Sequence, residues 1–290
     1  MTEIVLEGHF DEKDRAAGEF PLLPFEVPPG VARLNVRYQV SRQLGGDKAG
    51  WQEGNIVDIG LFDPRGAEFL TAKGFRGWSG TTRQEFTVAA DHATPGYLPG
   101  PIRPGTWHVV LGLYQSAPEG CDYRIAVTLE EQGSRRQEAR GKGQGERGRK
   151  VRGPRWYRGD LHAHTWHSDG SAPLSDLVSA ARAQRLDFVA VTEHNTISHL
   201  PLLDGQATPD LLLIPGVEVS TYHGHANVWP IDGFVEFRCR SDEQMGQVRE
   251  AVRARGALFS VNHPKDDGPP WAFGHMFEPD CIEVWGGPWF

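Results

Sequence analysis

The sequence predicts a multidomain protein, an N-terminal all-β sandwich followed by an α/β domain. Three observations predict it. Alternating apolar and polar residues dominate the first 130 positions, strand and helix patterns alternate from residue 156 onward, and a glycine- and arginine-rich stretch separates the two. At 290 residues the chain can hold two ordinary domains, each with a sizeable core. The boundaries fall at 1–130 for the sandwich, 131–155 for the linker and 156–290 for the α/β domain.

In the first domain, Ala32–Val40 alternates apolar and polar without a break, the pattern of a strand with one buried face. Thr106–Tyr114 and Cys121–Leu129 behave similarly and flank a turn at Ser116–Gly120. Asn55–Asp63 is a further strand and runs into the turn signature Asp63-Pro-Arg-Gly66. No helix is expected here, so short strands between Gly/Pro-rich turns indicate a sandwich. His9, His92 and His108 are isolated and read as ordinary surface or core residues.

The linker is the basic part of an acidic chain. Ten Lys/Arg and three acids between Glu131 and Arg158 give +7, which leaves −15 elsewhere against the total of −8. Its glycine–charge alternation buries too little apolar surface to offset ordering entropy. A basic arm for nucleic acid or an acidic partner is the alternative, but no aromatic interleaves its core to stack bases. The acidic balance of the chain also argues against non-specific nucleic-acid binding.

The second domain begins with a strand at Arg158–His164. Ser171–Leu186 then carries Leu174, Leu177, Val178 and Ala181 at helical spacing, with Ser171 as N-cap and Pro173 in the first turn. Asp187–Thr192, Leu211–Val219 and Ala226–Trp229 read as strands, and Ser241–Arg255 as a helix stopped by Gly256. Ala257–Val261 and Cys281–Trp285 complete the set. Repeated alternation implies a parallel sheet, open or closed into a barrel.

Other classes are excluded or disfavoured by what is missing. No run of about 18 apolar residues exists, so no membrane span is expected. Met1–Glu7 lacks a basic region followed by an apolar stretch, and a cytoplasmic location is expected. Cys121, Cys239 and Cys281 are scattered, which fits reduced thiols better than a disulfide framework or a thiolate metal site.

Nine of the twelve histidines follow the linker, and several fall at strand ends. His162 and His164 share one face of a strand. Asp169, His194, Glu218 and His263 lie at or just past the C-terminal ends of predicted strands, in His167-Ser-Asp-Gly170, Thr192-Glu-His-Asn195, Pro215-Gly-Val-Glu218 and Asn262-His-Pro264, and His223-Gly-His225 repeats the H-x-H spacing. Any one of these could be a turn cap or a solvated strand end. Together they sit where parallel α/β barrels assemble active sites, and mixed imidazole and carboxylate donors suit zinc, manganese or iron.

Gly159–Gly170, Val191–Asn195, Pro215–Glu218, Gly224–Asn227 and Val261–Pro264 together resemble the PHP (polymerase and histidinol phosphatase) superfamily of metal-dependent hydrolases. The wording of the first and fourth segments, with an N-terminal β-domain, resembles its carbaryl-hydrolase-like branch. The resemblance implies a distorted (β/α)7 barrel holding two or three divalent metals (zinc, manganese or iron). His162 and His164 would bind one metal, Glu218 would bridge two, His225 and His263 would complete the second, and Asp169 and His194 would serve a third. Metals bridged by Glu218 would lower the pKa of a shared water toward neutrality and so supply the attacking hydroxide. Glu218, His194 and Asp169 are thus the catalytic candidates, while Lys265 and His223 are candidates for substrate contact. The expected partner is a small ester or phosphate substrate: a phosphate, carbamate or carboxylic ester. His167 is a candidate for orientation or substrate contact, and His199 and His275 are expected at the surface.

One departure from the family pattern stands out. Its closing Asp-x-His does not occur before Phe290, so the barrel is expected to be incomplete at its C-terminus and to lack two ligands. An unclosed sheet edge would invite self-association. A degenerate barrel acting as a non-enzymatic binding protein is the competing expectation.

Overall fold

The computed structural model describes residues 1–45, 52–131, 155–264, 270–274 and 278–284. Residues 132–154 of the expected linker, Lys265 and His275 lie outside the described residues.

Eight strands build the first domain: β1 (Thr2–Phe10), β2 (Leu22–Val27), β3 (Val31–Val40), β4 (Ile56–Phe62), β5 (Phe75–Gly80), β6 (Glu85–Ala89), β7 (Gly105–Gln115) and β8 (Cys121–Glu131). They form two antiparallel four-stranded sheets, ordered β1-β8-β3-β6 and β2-β7-β4-β5. Leu34, Val36, Ile125 and Val127 of the first sheet meet Ile59, Leu61, Trp107 and Val109 of the second in one core. Strand β3 alternates between this core and a more open face, as its sequence indicated. The expectation of no helix here is corrected by α1 (Glu12–Ala17). Asp11 and Asp14 make a reciprocal capping box, and the helix buries no residue. With no apolar face it leaves no periodic signal in the sequence.

The second domain contains β9 (Gly159–Ala163), α2 (Leu174–Ala183), β10 (Phe188–His194), α3 (Leu200–Gln206), β11 (Leu212–Thr221), β12 (Gly224–Trp229), α4 (Asp242–Ala254), β13 (Leu258–Val261) and β14 (Cys281–Ile282). Its six strands form one sheet, ordered β14-β13-β12-β11-β10-β9. The expected all-parallel sheet is corrected at β12, which runs antiparallel to both β11 and β13. Only Tyr222 and His223 connect β11 to β12, whereas a parallel crossover needs a dozen residues or more. The described strands form a half-barrel, and the seven-stranded barrel, expected to be incomplete at its C-terminus, is not seen whole among the described residues. Their sheet is open at β9 and β14, though curled enough for Glu283, just past β14, to reach His162 on β9. Helix α2 starts later than Ser171: Pro173 occupies the N-cap in an extended conformation, with no side-chain cap. Helix α4 is capped by Ser241, whose hydroxyl accepts from Gln244 N–H. No described helix is long and apolar enough to cross a membrane. Cys121 and Cys239 are buried and Cys281 exposed, all as free thiols.

Strand alternation divides the second sheet into an apolar face and a polar one. Val217, Val219, Ala226, Val228, Phe259 and Val261 pack into a core with Met245, Val248 and Val252 of α4. That core also takes Phe62, Phe75, Trp78 and Val110 from the sandwich. Strand β4 is therefore buried along nearly its whole length, on both faces. The two domains share one apolar interior, in which Phe237 lies against Trp78 with ring centroids 4.7 Å apart. The residues between the apolar positions, Glu218, His225, Asn227 and Asn262, emerge on the opposite face.

Candidate metal centre

Register explains why these side chains converge. His194 is the cross-strand partner of Glu218 in the β10–β11 ladder, and Glu218 faces Asn227 across β11–β12. Because β12 is antiparallel, its first residues reach the edge where β9, β10 and β11 end. His225 arrives there by that route. His263, just past β13, has a left-handed φ of 27°. The Asn195 side chain extends the β10–β11 pairing by one step, bonding both N–H and C=O of Ser220 at 2.8 Å. Gly170 brings the loop back over β9: a Cβ there would meet backbone atoms of His164 and Thr165 at 2.7 Å.

Glu218 is the hub. Its side chain is 1% exposed, while those of the surrounding histidines keep 16–27%, so the cluster opens to solvent on one side. Oε2 lies 3.1 Å from His162 Nε2, 3.2 Å from His164 Nε2 and 3.0 Å from His194 Nδ1. Oε1 lies 3.3 Å from both His225 Nδ1 and His263 Nε2. The Asn262 amide donates to Oε1 at 2.9 Å and fixes the carboxylate plane. Asp169 stands further out, 3.5 Å from His194 Nε2 and 3.8 Å from His164 Nδ1.

These donors fit a cation better than they fit one another. Despite those short distances, Glu218 Oε2 and His225 Nδ1 are buried without an aligned hydrogen bond. His162 Nε2 and His164 Nε2 face each other at 3.0 Å. Three donor sets converge closely enough to hold an ion: His162, His164 and Glu218; His164, Asp169 and His194; His194, Glu218 and His225. Convergent lone pairs around one buried carboxylate are what divalent metal ligation requires.

The electrostatics match. Burial pulls His162 down, but the carboxylates of Glu218 and Glu283 outweigh it and raise its pKa to about 10. His194 is likewise raised to about 9, with Glu218 and Asp169 overcoming burial. Burial pushes Glu218 up, yet the four neighbouring imidazoles of His194, His162, His164 and His225 hold it well below the usual carboxylate range. Without metal, protons supply the positive charge that this pocket favours.

The remaining sequence candidates fall elsewhere. His223 sits in the β11–β12 turn, and its Nε2 lies 2.8 Å from Glu19 Oε1 of the sandwich rather than in the cluster. His167 is buried, with Nδ1 2.7 Å from Ser198 Oγ, and burial lowers it to about 4. With Trp166, Leu174 and Leu202 it lines a groove of about 380 Å³. His199, expected at the surface, is instead fully buried, its pKa pushed down to about 3 by burial and by His167. It begins α3, a helix too short to announce itself by periodicity. Lys265 lies outside the described residues.

Three participants carry no assignment in the sequence reading. Asn262 holds Glu218, Glu283 accepts from His162, and Glu193 is fully buried beneath the 165–168 loop. Glu193 accepts from Thr165 N–H at 3.0 Å and from the hydroxyls of Thr165 and Ser168. Asn262 and Glu193 adjoin assigned histidines in the sequence, a signal that could have found them.

The comparisons with known proteins concern the same stretch. Residues 160–248 match the PHP domain. This PHP region includes every candidate ligand except His263. The chain is 40% identical over 105 residues to the 5'-3' exoribonuclease Rnm of Salmonella typhimurium, an overlap of 35% of this chain and 36% of that protein. The chain thus spans little more than a third of that relative's length. It is also similar to a crystal structure of a two-domain protein from Bacteroides vulgatus containing a predicted PHP-like metal-dependent phosphoesterase. That likeness has 23% identity and a TM-score of 0.32, covering 40% of this chain and 38% of that one.

Proposed function

We propose that the PHP region is a metal-dependent phosphoesterase using two or three divalent ions of zinc, manganese or iron. The observation that carries this is Glu218, buried at the junction of imidazoles that aim nitrogens at it without hydrogen bonding to its Oε2. Glu218 would bridge two ions. His162 and His164 would hold one side, His225 and His263 the other, and His194 with Asp169 a third position. Ions there would supply a water of near-neutral pKa and Lewis-acid polarisation of the phosphoryl oxygen.

The chain's own residues do the rest. Asn262 keeps Glu218 turned toward the imidazoles, and the Ser220 hydroxyl, 2.5 Å from His194 Nδ1, sets that ring's angle. The groove beside Trp166 and His167 would seat the organic part of the ester, and neutral His167 can offer it a hydrogen bond without adding charge.

A purified chain should hydrolyse an aryl phosphate, and Glu218→Ala should abolish this by at least about 10³-fold. The carbaryl-hydrolase-like layout, a sandwich packed directly on the PHP region, favours a second reading in which the same residues cleave a carbamate or carboxylic ester. Assays with an aryl phosphate, a short RNA, an aryl acetate and an aryl carbamate separate these substrates. A chain inert toward all four would sink the enzyme reading in favour of a non-enzymatic binding protein.

A further inference from the structure

Glu283 follows β14, at the opposite edge of the sheet from β9, yet its carboxylate holds two of the candidate ligands. Its oxygens lie 3.2 and 3.3 Å from His162 Nδ1. Oε2 also accepts from the His263 backbone N–H at 3.1 Å.

The two nitrogens of His162 are therefore divided. Nδ1 faces Glu283, while Nε2 faces Glu218 and His164. A carboxylate on Nδ1 selects the tautomer that protonates this nitrogen and leaves the Nε2 lone pair for a metal, and it makes that lone pair more basic. The contact with His263 does a different job. A φ of 27° is unfavourable for any residue with a Cβ and persists only where the surroundings hold it. The bond from its N–H to Glu283 is such a hold, and it leaves His263 Nε2 3.3 Å from Glu218 Oε1.

We propose that Glu283 is a positioning residue: it fixes the His162 tautomer and the His263 backbone so that both rings present Nε2 to the metal centre. The proposal rests on the metal-centre reading above. Glu283 touches no substrate, and both its oxygens are committed to His162 and His263, so it shapes the affinity of the centre rather than the number of ions.

The test is a titration of the metal-stripped full chain with Zn²⁺ by calorimetry, comparing wild type, Glu283→Ala, Glu283→Gln and the exposed control Glu250→Ala. Glu283→Ala should bind the same number of ions about 10- to 100-fold more weakly. Glu283→Gln keeps an acceptor oxygen for Nδ1–H and should recover most of the loss, and Glu250→Ala should match wild type. Long-range ¹H–¹⁵N spectra of the zinc-loaded wild type should show His162 protonated at Nδ1, a readout that does not depend on any variant folding. Equal affinity in wild type and Glu283→Ala, or an Nε2-protonated His162, would overturn the positioning role. Loss of a whole ion from both Glu283 variants would also overturn it, by making Glu283 a ligand. A wild type that takes up no zinc at all would overturn the metal-centre reading, and the proposal with it.

Discussion

The Tyr222 hydroxyl donates to the Asp58 carboxylate across the domain boundary at 2.8 Å. Tyr222 belongs to the turn that delivers His225, and Asp58 to the sandwich strand β4. The Tyr222 ring stacks on Phe20 and on Tyr114, with centroids 5.4 and 4.6 Å away. The sandwich is thus a support for the hairpin that brings His225 to the candidate metal centre.

Burial raises the Asp58 pKa from 3.8 to about 6, against the opposing effects of the Tyr222 hydrogen bond and His194. For an acid raised in the folded state, the favourable contribution is present below about pH 4 and lost as pH rises through about 6. Asp58→Asn keeps an acceptor for Tyr222 and removes the buried charge. It should stabilise the protein by about 1–3 kcal/mol at pH 7 and flatten the stability profile between about pH 4 and 6. Tyr222→Phe should instead destabilise by about 1–3 kcal/mol by leaving the carboxylate unpaired. Urea melts of both variants across this range check the signs.

Metal binding should release protons. At pH 7 the metal-free cluster holds protons on His162 and His194, raised to about 10 and about 9. Ligation must displace them, roughly two per filled centre. Calorimetry in buffers of different ionisation enthalpy counts them. Histidines raised in the folded state contribute stability that is full below about pH 6.5 and lost as pH rises through 9 to 10. The metal-free chain should therefore weaken over that alkaline window, while the loaded chain holds; equal profiles would contradict this.

Glu193 anchors the loop that presents Asp169. Glu193→Ala would leave Thr165 and Ser168 without their acceptor and cost about 1–3 kcal/mol. Its sharper signature is selective: the ion held by Asp169 and His194 should weaken first, while the Glu218, His225 and His263 position keeps its affinity. Stepwise titration with Co²⁺ reads the order of filling.

A shared apolar interior implies shared unfolding. Phe237→Ala removes a fully buried ring that touches Trp78, Phe20, Phe75 and Phe234, and should cost about 3–5 kcal/mol. Both domains should melt in one transition by calorimetry, and at lower temperature in the variant. Two separate transitions in the wild type would show that the interface does not couple them.

Much of this centre was legible in the sequence because its residues sit beside short, strongly patterned strands. His162 and His164 follow the two-residue period, and Glu218 interrupts the valines of β11. What escaped was set by distance along the chain. Glu283 lies 121 positions from His162, and Asp58 lies 164 from Tyr222, so no local pattern joins either pair. The antiparallel β12 was within reach, since the six residues between the expected strands Leu211–Val219 and Ala226–Trp229 are too few for a parallel crossover. Helices α1 and α3 were not, being only six and seven residues long and nearly without buried side chains.

The most direct measurement is the metal content of the purified chain after equilibration with zinc and removal of excess, compared with Glu218→Ala. The account predicts at least two tightly held ions in the wild type, and in the variant the loss of at least one ion together with aryl phosphate hydrolysis. A wild-type chain that retains none, or a Glu218→Ala variant that keeps the full complement, would contradict it.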